Sequence, residues 1–210
     1  MSFHYNLNNG EQEFHCNLQC MRCEGLKRDG SQCTRTTCKH LPMCYQHIGE
    51  LGLRVGTSNI PNAGLGLFAT RNFGINELIA PYFGELLTYQ QLERRYGYGD
   101  DGVAVYAANK SKNVRNQHKS LVIDAACRRS LASYINSKVT GVRGGRRGHP
   151  TNCRFVNSTP TTINVRATRN IRAGEEFILD YKANYFRAGP GVKPYTYSTL
   201  RRKTNSRERQ

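Results

Sequence analysis

The stretch Gly174-Glu175-Glu176-Phe177-Ile178-Leu179-Asp180-Tyr181 joins a turn of glycine and carboxylates to a short apolar run that ends in a tyrosine. Three further stretches precede it in order. They are GLGLFA at residues 64–69, YFGE at 82–85, and LASYINS at 131–137, the last followed by Asn152-Cys153. Ile123-Asp124-Ala125 stands just before the third. Around these motifs the chain runs in short apolar segments broken by Gly, Asn and Pro. Residues 65–69, 78–82, 121–124 and 163–167 read as strands. Only Tyr89 to Tyr96 has helical spacing, with Leu86, Tyr89, Leu92 and Tyr96 recurring at three or four residues and Thr88 as its cap. The expected class is mainly β, built from several small sheets.

The four motifs in this order resemble the SET domain of protein-lysine methyltransferases, over roughly Leu53 to Phe186. The resemblance implies a SET-type fold with a knot-like C-terminal crossing. It also implies S-adenosyl-L-methionine as methyl donor, and Tyr181 and Tyr82 as the reaction-site tyrosines. Gly64, Leu65, Gly66 and Leu67 would grip the cofactor with main-chain groups, since a residue without Cβ lets a ligand come close. Asn136 and Ser137 would hold it from the other side. Tyr106 is the candidate wall of the lysine channel. Glu175 and Glu176 read as turn and ion-pair residues, and Asp180 as a buttress.

This sequence departs from the family pattern in three places. Ser137 stands where the family has His. Leu179 occupies a position where an aromatic residue in relatives influences the number of methyl groups added, and it leaves that number open. No Cys follows Cys153 in these residues, so the Cys-rich zinc segment that the resemblance places after the domain is expected to be missing. Tyr185 and Phe186 are the nearest aromatics able to close the channel instead, Tyr185 on the cofactor side and Phe186 on the lysine side.

Charge is unevenly distributed. The whole chain has 31 Lys+Arg, 15 Asp+Glu and a formal net charge of +16. Residues 1–50 are neutral, with five basic and five acidic side chains. The surplus lies in 51–186 and in the tail from 187 to 210. Lys138 to Arg154 holds five basic residues and no acidic one. Such a surplus favours a polyanionic partner. It repels a free histone or other basic tail but attracts the DNA of a nucleosome, so nucleosomal DNA is an expected contact and the nucleus the expected compartment. No uninterrupted apolar run is long enough to span a membrane. Residues 1–14, polar and carrying Glu11 and Glu13, lack the basic start and apolar centre of a secretion signal. A rival reading is an adaptor that keeps the fold, has lost turnover and binds nucleic acid or chromatin. Another is a methyltransferase for a non-histone protein.

Six of eight cysteines lie between Cys16 and Cys44, interleaved with His15, His40 and, just beyond, His47. A tight Cys/His cluster without a secretion signal reads as a metal site. Cys23, Cys33, Cys44 and His47 are the first choice of ligands for Zn2+, with Cys44-Tyr45-Gln46-His47 as a ligand pair from one turn. Gly25 to Gly30 between Cys23 and Cys33 reads as a hairpin with an Asp-Gly turn. Cys16, Cys20, Cys38 and His40 are the candidate second set. Cys127 and Cys153 read as isolated. The expected organisation is a zinc-stabilised module at 1–50, a methyltransferase domain at 51–186 and a basic flexible tail at 187–210.

Overall fold

A computed structural model of the chain describes residues 2–5, 14–17, 20–37, 41–61, 63–96, 106–111, 120–137 and 150–181. Tyr185, Phe186, the basic residues from 138 to 149 and the tail lie outside that set.

The described residues form six small sheets. Strands β1 (Ser2–Tyr5) and β2 (Phe14–Asn17) pair antiparallel, as do β3 (Met21–Arg22) and β4 (Thr36–Thr37). A short helix, α1 (Tyr45–Glu50), leads into the antiparallel pair β5 (Leu53–Thr57) and β6 (Leu65–Ala69). Next come β7 (Leu78–Tyr82), β8 (Glu85–Thr88) and helix α2 (Tyr89–Tyr96). The sheet β8-β10-β9 is completed by β9 (Ala107–Ser111) and β10 (Leu121–Asp124). A 3-10 helix (Leu131–Tyr134) precedes β11 (Asn136–Ser137). The sheet β12-β13-β7 takes in β12 (Cys153–Thr159) and β13 (Thr162–Ala167), and β14 (Ile178–Leu179) ends the described chain.

The four expected strands coincide with β6, β7, β10 and β13. The helix falls at 89–96, and its cap is reciprocal. The Gln91 N–H donates to the Thr88 hydroxyl at 3.2 Å, and the Thr88 N–H donates to the Gln91 side-chain oxygen at 2.8 Å.

Alternation sets the core. In β13, Ile163, Val165 and Ala167 point inward while Thr162, Asn164 and Arg166 are partly exposed. They join Leu53, Leu67, Phe73, Ile123, Ile135, Ile171, Phe177 and Leu179 in one buried cluster. Phe73 and Phe177 meet edge to face with centroids 5.3 Å apart. Ile48 of α1 belongs to the same cluster, so the Cys/His segment is fastened to the β domain by packing.

One pairing determines where the site forms. β11 and β14 are parallel, with Asn136 opposite Ile178 and Ser137 opposite Leu179. Parallel neighbours need a long connection, here residues 138–177. Asn152 secures the crossing. It is fully buried, its side chain donates to the Glu176 carbonyl at 2.8 Å, and it accepts the Ile178 N–H at 2.7 Å. No described helix is long and apolar enough to cross a membrane.

Candidate functional site

The Cys/His centre assembles from a hairpin and a helix start. Lys27 and Ser31 close the turn, Gly30 sits at φ +79°, and Leu26 bridges Gln32, as the Asp-Gly reading expects. The turn brings Cys23 near Cys33, while Cys44 and His47 come from the first turn of α1. The four ligand atoms lie within 4.8 Å of one another. His47 Nδ1 is 3.4 Å from the Cys23 sulfur and 3.3 Å from that of Cys44. Its other ring nitrogen, Nε2, lies 2.8 Å from the Leu26 carbonyl, a hydrogen bond that leaves the Nδ1 lone pair facing the thiols. Backbone N–H groups of Gly25 and Cys44 donate to the Cys23 sulfur. Burial opposes ionisation of Cys44, but the His47 backbone and ring and the Cys23 thiol bring it down to about 6. Burial instead raises Cys23. His47 is raised, chiefly by its contact with Cys44. Three thiols and an imidazole at this spacing suit tetrahedral Zn2+ and leave no open position.

Of the second ligand set, the described residues show the side chain of Cys20 alone. Cys20 is disulfide-bonded and so presents no thiolate for a metal. Cys38 and His40 lie outside the described residues, and Cys16 falls in β2. Cys127 is also disulfide-bonded. Cys153 is a buried core thiol donating to the Ile178 carbonyl, pushed well up by burial.

The other centre is the junction of the four motifs. Residues 174–177 run beside β6. Ala69 donates to the Glu175 carbonyl, Phe177 donates to the Leu67 carbonyl, and Phe68 bridges Glu176. Glu175 behaves as the sequence suggests, accepting from Arg169 at 2.5 Å and from the Arg172 N–H. Glu176 does not. It is buried, and neutral donors surround its carboxylate. The Ser58 hydroxyl donates to Oε1 at 2.6 Å, the Asn59 N–H to Oε2 at 2.7 Å and the Asn136 amide to Oε1 at 3.2 Å.

Asn136 also donates to the Leu65 carbonyl at 3.0 Å. Both hydrogens of its Nδ2 therefore face oxygen, which fixes the amide orientation. Oδ1 is left as the unpartnered polar atom of that side chain among the described residues. The space over Gly66 is taken by the protein itself, because a Cβ there would lie 2.3 Å from Glu176 Oε1. Gly64, at φ +75°, has open space where its Cβ would be. Leu67 is wholly buried and its carbonyl is engaged by Phe177, so it belongs to the sheet.

Tyr181 follows β14. Its hydroxyl donates to the Ile135 carbonyl and its N–H donates to Ser137 Oγ at 3.1 Å. Ser137, standing where the family has His, thus holds the tyrosine's main chain. Burial pushes the Tyr181 phenol well above its ordinary range. Tyr82 is buried, donates to the Tyr106 carbonyl at 2.5 Å and packs edge to face on Phe155. Burial, then the nearby Tyr181, raises it strongly.

Tyr106 is half-buried and carries the Arg129 guanidinium over its ring at 3.6 Å. Arg129 reaches Tyr134 as well, at 5.9 Å, and burial lifts Tyr134 to about 12. Leu179 is buried in the main core. The sequence reading missed Glu176 and Arg129 as members of this site. Glu176 was masked by the adjacent turn glutamate, and Arg129 by its place in a short polar run. Tyr134 and Asn152 lay within the quoted motifs, with no role assigned to them.

The residues fit a cationic cofactor. An unpartnered amide oxygen, an open backbone at Gly64 and a buried carboxylate with no cation within ion-pair distance among the described residues suit a ligand with ammonium and sulfonium charges. Residues 64–182 match the SET domain. A histone-lysine N-methyltransferase of Caenorhabditis elegans, mes-4, is 27% identical over 204 aligned residues, 82% of this chain but 20% of that protein. The chain therefore spans about a fifth of that relative's length. Among solved structures, the Chaetomium thermophilum polycomb repressive complex 2 is similar at 25% identity and TM-score 0.47, covering 69% of this chain and 16% of that one. An autoinhibited form of the Chaetomium complex bound to S-adenosylmethionine is similar at 22% identity and TM-score 0.45, covering 74% and 17%.

Proposed function

The chain belongs to the SET-domain family, and from that premise we propose that it is a protein-lysine N-methyltransferase using S-adenosyl-L-methionine, with a histone lysine in chromatin as substrate. The observation that carries this reading is the convergence of distant motifs. Glu176 touches Gly66, Asn136 and the 58–59 turn, while Ser137 and Ile135 hold Tyr181.

Gly64, Leu65, Gly66 and Asn136 would hold the cofactor, with Asn136 Oδ1 free to accept from its ammonium, while Ser137 holds the main chain of Tyr181. When bound, S-adenosyl-L-methionine supplies a methyl group on a positively charged sulfur. The protein's part is to prepare and aim the amine. A lysine ammonium, ordinarily near ~10.4, has no lone pair until it loses a proton. The walls of Tyr82, Tyr106 and Tyr134 remove water from it, and the permanent charge of Arg129 over Tyr106 disfavours the ammonium further. Tyr181 stays neutral because burial holds its proton on. That proton points at the Ile135 carbonyl, so the phenol oxygen presents lone pairs that can orient an amine N–H. Leu179 lies in the same buried core cluster as Tyr82 and Tyr134.

Cys23, Cys33, Cys44 and His47 would bind one structural Zn2+, which supplies folding energy that a segment of this size lacks. The module at 1–50 and the basic tail at 187–210 would serve docking around the catalytic domain at 51–186. The charge of +16 favours a nucleosome over a free basic tail, through contact with its DNA. The adaptor reading is disfavoured by Ser137, which keeps a hydrogen bond to Tyr181 in place of the family His.

Radiolabelled methyl transfer onto histone octamers and nucleosomes tests the proposal. Incorporation is expected with the wild-type chain, greatest on nucleosomes, and lost by at least about a hundredfold in Tyr181→Phe. Equal incorporation by both proteins would refute the assignment of Tyr181. None by the wild type would refute the activity.

A further inference from the structure

Glu176 is a buried carboxylate in an unusual setting. Buried charges are ordinarily paired, because stripping water from an ion is expensive. Asp124, another buried acid among the described residues, has an ion pair with Arg95 at 2.8 Å. Glu175, one residue earlier, has Arg169. Glu176 has no cation within ion-pair distance among the described residues. Its three partners are a hydroxyl, a backbone N–H and an amide, all donors, and that set suits the ionised form. The negative charge is held in place but not neutralised. It lies against Gly66 and against Asn136, the residues assigned to the cofactor.

Resting on the methyltransferase reading, we infer that Glu176 is a specificity-determining residue whose uncompensated charge selects the sulfonium-bearing cofactor over its neutral thioether product. The neighbouring residues cannot supply this discrimination. Asn136, Ser58 and the main chain of 64–67 bear no net charge, and adenosyl groups are the same in donor and product. A negative charge fixed behind Asn136 favours a ligand with the additional positive charge. It also favours release of the ligand that has lost it. The arrangement therefore aids turnover as well as binding, because product leaves a site whose charge it no longer matches.

Geometry and charge are separable by experiment. Calorimetric titration would use three ligands: S-adenosylmethionine, the ammonium analogue sinefungin, and S-adenosylhomocysteine. Glu176→Gln removes the charge and keeps the shape. Its amide hydrogens also face Asn59 or Asn136, so all three ligands are expected to weaken somewhat. The diagnostic quantity is the preference for charged over neutral ligand. It is expected to fall by roughly tenfold in Glu176→Gln, the order of one charge pair in a partly buried site. Ser58→Ala removes a donor but leaves the charge, so its preference stays at the wild-type value. Equal weakening of all three ligands in Glu176→Gln would overturn the inference and leave Glu176 as a purely geometric support. The wild type provides a test that does not require a folded variant. It must bind sinefungin and S-adenosylmethionine more tightly than S-adenosylhomocysteine, and a preference for the neutral ligand overturns the inference alone. Absence of binding to any of the three by the wild type overturns the methyltransferase reading with it.

Discussion

Replacing Gly66 by alanine should disturb the proposed cofactor site from inside. The added Cβ would lie 2.3 Å from Glu176 Oε1, 3.0 Å from its Cδ and 3.4 Å from Asn136 Nδ2. An ordinary contact needs roughly 1 Å more than the shortest of these. The carboxylate is not a loose side-chain end, because hydrogen bonds of 2.6 and 2.7 Å pin it to Ser58 and Asn59. Retreat would break at least two bonds to a charged acceptor, each contributing about 1.5–3 kcal/mol. Partial relaxation returns some of that, so the expected loss is about 3–5 kcal/mol. For a chain of this size that is roughly 10 °C in Tm. Gly64→Ala is the control: it meets open space and pays only for its φ of +75°, about 1–2 kcal/mol. Thermal and urea unfolding measure both, and titration with S-adenosylmethionine reads the site. The reasoning is refuted if Gly66→Ala unfolds with the wild-type protein, or if Gly64→Ala is the more damaging of the two.

Three other substitutions probe separate parts of the account. Gly25→Ala would place a Cβ 2.5 Å from the His47 ring. It should lower bound zinc, read by a colorimetric chelator, from one equivalent per chain to well below one, without altering the Asp29-Gly30 turn. Asn152→Ala orphans the Ile178 N–H and the Glu176 carbonyl in the interior, and should destabilise the fold by about 3 kcal/mol in urea unfolding. Ser137→Ala leaves the Tyr181 N–H without its oxygen. It should cost about 1–2 kcal/mol and cut kcat by several-fold while cofactor affinity changes less; an affinity loss as large as the kcat loss would place Ser137 on the cofactor instead.

Much of the fold was legible because its signals are local. Strands β6, β7, β10 and β13 announce themselves by apolar runs between breakers, and α2 by its period and Thr88 cap. The Cys/His centre was legible because its ligand spacing follows from one hairpin and one helical turn. Glu176 was not, since Glu175 and Glu176 are identical in composition and sequence neighbours. Only tertiary placement decides that one reaches Arg169 while the other turns inward to Ser58, Asn59 and Asn136. Gly66 was read as making room for a ligand, and the structure fills that room with the Glu176 carboxylate. The difference again depends on a partner 110 positions away. The disulfide-bonded state of Cys20 and Cys127 was likewise not legible in the spacing.

Calorimetric titration of the wild-type chain with S-adenosylmethionine, repeated with Asn136→Ala, tests the central claim most directly. One site per chain in the wild type, weakened at least about tenfold in the variant, is the predicted result. A wild-type protein that takes up no cofactor, or a variant that binds it as well as the wild type, would contradict the account.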